Sequence, residues 1–254
     1  MPRQHVEVGP RADVDGFRRA VRLLIARDVP PDHVTWGEEA SLVGAAPDGD
    51  GTPLVLPRAV VELIERVACH SNPERYALLY QLVWRVHRGE RALLEVASDP
   101  LVHRLQRLSQ AVQRDIHKMH AFLRFRDAGD GHLVAWFEPE HHILAAAAQF
   151  FIDRFGALVW SIITPRGSLH WDREKLVCGP PGRRCDVPPD DAFEAGWRGY
   201  YESVFNPARA NPQAMRLHMP KKYWRNMPET AAIPDLLRSA QRRVAVMMQD
   251  GEEA

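Results

Sequence analysis

Histidines, carboxylates and aromatics are denser in the stretch from Asp115 to Trp171 than elsewhere in the chain. His117, His120, Glu138, His141 and His142 are the residues there whose types could act as general acid or base, ligate a metal, or read a nucleotide. Glu140 adds a further carboxylate. Their spacing matches no zinc box, so no metal site is assigned and the cofactor is unknown. A second group, Lys221-Lys222-Tyr223-Trp224-Arg225, interleaves cations with aromatic rings, a mixture suited to backbone phosphates together with base stacking. A short amphipathic helix that docks Tyr223 and Trp224 in a core and leaves the cations in water accounts for the same residues. Lys118 and Arg124 extend the candidate nucleic-acid contacts toward the histidines. Lys118 closes a line of Arg104, Arg107 and Arg114 opposite the apolar stripe of one long helix.

The elements that must position these groups follow from periodicity. Leu101, Leu105, Leu108, Val112, Ile116 and Met119 recur at helical spacing behind Asp99-Pro100. Two short runs, Arg124-Phe125-Arg126 and Leu133 to Phe137, flank Asp127-Ala128-Gly129-Asp130-Gly131 and predict a β-hairpin. A register centred near Gly129 sets His120 opposite Glu138. Pro139 suits the first turn of a following helix that carries Ile143, Leu144, Ala147, Phe150, Phe151 and Phe155. On this reading the histidines and glutamates converge at one end of the hairpin, and a helix N-terminus keeps His141 or His142 neutral. Leu158 to Ile163, Leu169 to Trp171 and Leu176 to Cys178 read as further strands around the Thr164-Pro165-Arg166-Gly167 turn.

Upstream, helices are predicted from Val14, from Pro57 and across Tyr76 to Val86, after a tail formed by residues 1 to 12. Tyr76, Tyr80 and Trp84 read as a core face. Residues around Pro47 to Gly51 read as an exposed loop. Asp190 or Asp191 caps a helix bearing Phe193, Trp197, Tyr200, Tyr201 and Val204, and a final amphipathic helix begins near Ile233. The predicted class is α+β: a helical N-terminal half packed with a small antiparallel sheet, β-β-α-β-β, and C-terminal helices. The organisation expected is a mainly helical region over 1–113 and an α+β core over 114–250, possible as one continuous domain.

The chain has 254 residues, with 33 Lys and Arg against 33 Asp and Glu, so net charge gives no global attraction to nucleic acid. Any such binding must come from a local patch. The only lysines are Lys118, Lys175, Lys221 and Lys222, which makes an adjacent pair notable. Three cysteines, Cys69, Cys178 and Cys185, are too few for a disulfide framework and read as incidental thiols. With no apolar run of membrane-spanning length and no signal-peptide pattern at the start, a cytoplasmic location is expected. P-loops, nucleophile elbows, dinucleotide fingerprints and His-Glu-x-x-His helices are absent.

Several motifs together resemble a known family. They are Asp115-Ile116-His117-Lys118-Met119-His120-Ala121-Phe122, Ala135-Trp136-Phe137-Glu138-Pro139-Glu140-His141-His142-Ile143-Leu144, Trp160-Ser161-Ile162-Ile163-Thr164-Pro165, Phe205-Asn206-Pro207-Ala208-Arg209 and Met219-Pro220-Lys221-Lys222-Tyr223-Trp224-Arg225-Asn226. The chain resembles an uncharacterised bacterial family described as DNA-metabolism or DNA-repair proteins. Domains of that family are fused behind UdgX-type uracil-DNA glycosylase-like proteins, or accompany a radical-SAM protein. The resemblance implies a repair context and such a partner, not a reaction. A DNA-binding accessory protein is the leading expectation, with DNA, single- or double-stranded, as the ligand. A metal-assisted hydrolase or nucleotide-processing enzyme built on the histidines, and a protein-interaction adaptor, are the alternatives.

Overall fold

The computed structural model describes residues 3–38, 54–188 and 219–238. The class is α+β. The predicted loop at 47–51, the helix over 193–204, the motif at 205–209 and the distal part of the final helix lie outside the described residues. Among the described residues no helix is long and apolar enough to cross a membrane. The chain forms two compact units, one of residues 1–118 and 139–149, the other of 119–138 and 150–254. Residues 139–149 fall in the first unit, so the two units interleave in sequence.

In the first unit, strand β1 (Gln4–Val8) and strand β2 (Val34–Glu38) pair in parallel, Val6 opposite Trp36. The N-terminal tail is thus a strand. Helix α1 (Val14–Ala26) is capped by Asp13, whose side chain accepts the Gly16 N–H at 2.8 Å. Helices α2 (Arg58–Ala68) and α3 (Arg75–His87) follow Pro57 and Glu74. Phe17, Val60, Val67, Tyr76, Leu79 and Tyr80 are almost wholly buried. The aromatic spacing in α3 is therefore a core face: Tyr76 stacks on Phe17, and the Tyr80 hydroxyl donates to the Val29 carbonyl. Asp99 accepts the Leu101 and Val102 amides and starts helix α4 (Pro100–Phe122).

The second unit holds a five-stranded sheet in sequence order: β3 (Phe125–Asp127), β4 (His132–Trp136), β5 (Val159–Thr164), β6 (Gly167–Trp171) and β7 (Leu176–Gly179). All neighbouring pairs are antiparallel except β4 and β5, which are parallel. The predicted antiparallel sheet is corrected at that pair. Helix α5 (Leu144–Phe155) lies between the two strands in sequence and returns the chain to the end from which β4 began, as a crossover must.

Two local expectations also shift. The hairpin pairs Phe125 with Ala135 and Arg126 with Val134, so it is centred on Asp130 rather than Gly129. The Asp127 side chain accepts the Gly129 N–H at 2.8 Å, and Gly129, Asp130 and Gly131 all have positive φ, which moves the return-strand pairing by two residues, so that Phe125 faces Ala135 and not Leu133. His120 is still helical, since α4 runs to Phe122, so it is not the cross-strand partner of Glu138. Helix α5 starts at Leu144, not at Pro139. The carboxylate of Asp115, 2% exposed, accepts the N–H groups of Glu140 and His141 at 2.8 and 2.9 Å and holds that segment outside the helix.

Candidate nucleic-acid interface

The predicted histidine junction is divided between the units. His117, Glu140, His141 and His142 belong to the first unit and His120 and Glu138 to the second. His117 is exposed on α4 and Lys118 is half-buried. His141 is buried against His70, with ring centroids 4.0 Å apart, and its Nδ1 lies 3.1 Å from Ser71 Oγ. His142 donates its backbone N–H to the Cys69 carbonyl. His70 lies outside the histidine-rich stretch, and no motif or spacing in the sequence marks it. Its Nδ1 accepts the Asn72 N–H at 2.9 Å, leaving the proton of the neutral ring on Nε2. Burial, then the neighbouring His141 and Arg75, pushes its pKa down to about 4. Among the described residues, no group of three or more His, Cys, Asp or Glu is placed to hold a metal ion.

In the second unit, Lys221, Lys222, Tyr223 and Trp224 form one short helical turn, α6 (Lys221–Trp224), after Pro220. The two aromatics take structural roles. Tyr223 is 1% exposed and stacks on Phe137 at 5.2 Å with the planes 8° apart, and the Trp224 indole donates to the Met219 carbonyl. Lys221, Lys222 and Arg225 remain exposed, with the Lys222 ammonium 4.9 Å from the Tyr223 ring centre. Alternation here separates two jobs: rings inward, cations outward.

Arg225 forms an ion pair with Glu138, and its carbonyl accepts from Arg184. Arg184 also bonds the Asn226 side chain. Arg126, 7% exposed, donates to the Pro188 carbonyl at 2.8 Å. Burial first, and then repulsion from Arg126 and Arg225, holds the Arg184 guanidinium below its ordinary pKa, while Glu138 acts in the opposite sense. Three guanidiniums and two ammonium groups thus share one sheet-proximal region with Glu138 as an internal counter-charge. Arg184 opens a 3-10 turn (Arg184–Asp186) directly after the Gly/Pro/Arg loop, where its sequence signal is an arginine pair among glycines and prolines.

His120 and Arg124 belong to a different feature. The end of α4, the β3–β4 hairpin and α5 enclose a cavity of about 600 Å³, walled by His120, Phe125, Phe150, Phe151 and Phe155, with Arg124, Arg154 and Asp127 also in its lining. The Arg124 guanidinium caps α4 by donating to the Ala121 carbonyl at 2.9 Å. The phenylalanines of α5 were legible in the sequence as an apolar stripe, not as a cavity wall.

A histidine row also crosses the sheet. His132 Nε2 lies 2.8 Å from Ser161 Oγ, Ser161 Oγ lies 2.8 Å from His170 Nδ1, and His170 Nε2 lies 3.0 Å from Ser168 Oγ. Burial and His132 lower the pKa of His170. Ser161 is 3% exposed, so the row ties three strands together and does not present a nucleophile.

A family model described as a domain of unknown function, DUF4130, matches residues 73–229. No curated protein and no solved structure matches the chain.

Proposed function

The chain belongs to the DUF4130 family, a domain of unknown function, and we propose that it is a DNA-binding accessory protein of base-damage repair or modification. The observation that carries this reading is the exposure of Lys221, Lys222 and Arg225 on and just after one turn, with Arg184 held beside them through the Arg225 carbonyl and the Asn226 side chain, where burial first and then repulsion from Arg126 and Arg225 disfavour its charge. A phosphate would relieve that repulsion, and guanidiniums match its oxygens with paired N–H groups. Tyr223 serves by fixing the turn from which the lysines project, not by stacking on a base. The resemblance to proteins found with UdgX-type or radical-SAM partners supports a cytoplasmic role in which this chain holds DNA for a companion's chemistry.

Fluorescence anisotropy of single-stranded and duplex oligonucleotides across a salt series tests the proposal. Wild type should bind with salt-sensitive affinity. Lys221→Gln together with Lys222→Gln should weaken binding to all sequences and flatten the log–log salt slope by roughly 1.5 to 2. The Tyr223 and Trp224 packing should leave the melting temperature of that variant close to wild type. No binding by wild type at low salt sinks the proposal.

A further inference from the structure

We infer that the cavity between the end of α4, the β3–β4 hairpin and α5 receives the heterocyclic base of a nucleotide, with its phosphate toward the Arg124 and Arg154 guanidiniums. The inference rests on the DNA-binding reading for the source of that nucleotide, and on the cavity itself for its chemistry.

The wall is unusually aromatic. His120 and Phe150 are already stacked, centroids 4.1 Å apart and planes 15° from parallel, so a flat ring can extend an existing stack. Phe150 is 37% exposed and Leu158 is 43% exposed, and both line this one cavity. Behind them, Phe125 meets Phe155 edge-on at 5.1 Å and Phe151 at 6.0 Å, which fixes the remaining rings in a rigid lattice. A volume of about 600 Å³ lies within the range of small-ligand pockets.

The polar groups select among flat ligands. Two guanidiniums in the lining, of which Arg124 also donates to the Ala121 and Leu123 carbonyls, favour an anionic substituent, and the Asp127 carboxylate, which accepts the Gly129 N–H, has further lone pairs that suit a ring N–H or exocyclic amine. A fatty-acyl ligand could pair a carboxylate head with the guanidiniums, but its flexible chain would not use the flat ring platform. A base with its phosphate uses both, as bases extruded from a strand do when they are held between aromatic side chains. Such a nucleotide can come from a strand or be free in solution, and the cavity chemistry is the same for either.

The decisive comparison uses the full chain and two oligonucleotides of equal length and charge, one with bases and one with tetrahydrofuran abasic residues. Saturation-transfer NMR with free deoxynucleoside monophosphates runs alongside. Expected is about tenfold or tighter binding of the base-containing strand, a preference that Phe150→Ala removes while binding of the abasic strand is unchanged. Arg154→Gln should weaken the base-containing strand without altering the fold, as judged by melting temperature. Saturation transfer to free nucleotides without strand binding would support the cavity and overturn the DNA reading. Equal affinity for the two strands with no signal from free nucleotides would overturn the cavity and leave phosphate-driven DNA binding standing. Persistence of the base preference in Phe150→Ala would also overturn it, and no binding of any ligand would overturn both.

Discussion

His70 sits where two imidazoles and a guanidinium compete for protons: its ring is 4.0 Å from His141, and Arg75 is a further positive neighbour. The folded protein holds its pKa near 4, against an ordinary value of 6.5. Between those values the unfolded chain binds a proton that the folded chain refuses, so stability is lost as pH falls through this window. Urea denaturation at pH 7 and pH 4.5 should show wild type losing about 2 kcal/mol more than His70→Asn, after discounting for partial exposure of the ring. Asparagine keeps an acceptor for the Asn72 N–H but cannot titrate. Equal losses would mean that the imidazole cluster is not what acid attacks. The adjacent Cys69 thiol is pushed up to about 11 by burial, consistent with a packing role.

The segment before α5 depends on one side chain far away in sequence. Asp115 accepts the Glu140 and His141 amides, and replacing it by alanine leaves two backbone donors without that acceptor in a buried setting. Asp115→Ala should cost about 3 kcal/mol in urea denaturation, whereas Asp115→Asn, which keeps a side-chain oxygen as acceptor for the two amides, should cost about 1 kcal/mol. Similar costs for the two would show that the acceptor oxygen is not what holds this segment. The reach of Asp115 along the chain explains what the sequence reveals at this scale. Helices α1 to α4 follow from periodicity and from short-range caps such as Asp13 and Asp99, because each signal lies within a turn of its effect. The start of α5, the parallel pairing of β1 with β2 and the parallel β4–β5 pair depend on partners 25 or more residues away in sequence, which no window contains. The hairpin centre lies one residue later than expected, and each cross-strand pairing two residues later, because three successive positive-φ residues, not glycine content alone, set the turn. Tyr223 and Trp224 show the limit for the interface: composition reports that cations and rings alternate, while burial decides which face water.

Across the whole molecule positive and negative side chains balance, 33 against 33, so a DNA strand at a distance feels little net pull. At physiological salt, screening over about 8 Å confines each exposed charge to its own neighbourhood. Binding through the Arg184, Arg225, Lys221 and Lys222 region should therefore respond to charges there and at the aromatic cavity, and ignore equal charges on helices such as α2. Arg58 is a suitable control, with its side chain 92% exposed on α2 and paired with Glu62. Arg58→Gln should leave affinity for a single-stranded oligonucleotide within about twofold at 150 mM salt. Arg225→Gln should lower affinity by roughly 5- to 30-fold, through loss of one phosphate contact and through exposure of the Glu138 carboxylate that Arg225 now neutralises. Adding Glu138→Gln to Arg225→Gln should recover part of that loss, since the second effect is repulsion and not a missing donor. If Arg58→Gln weakened binding as much as Arg225→Gln, attraction would be a property of the whole charged surface, and the local patch would lose its claim.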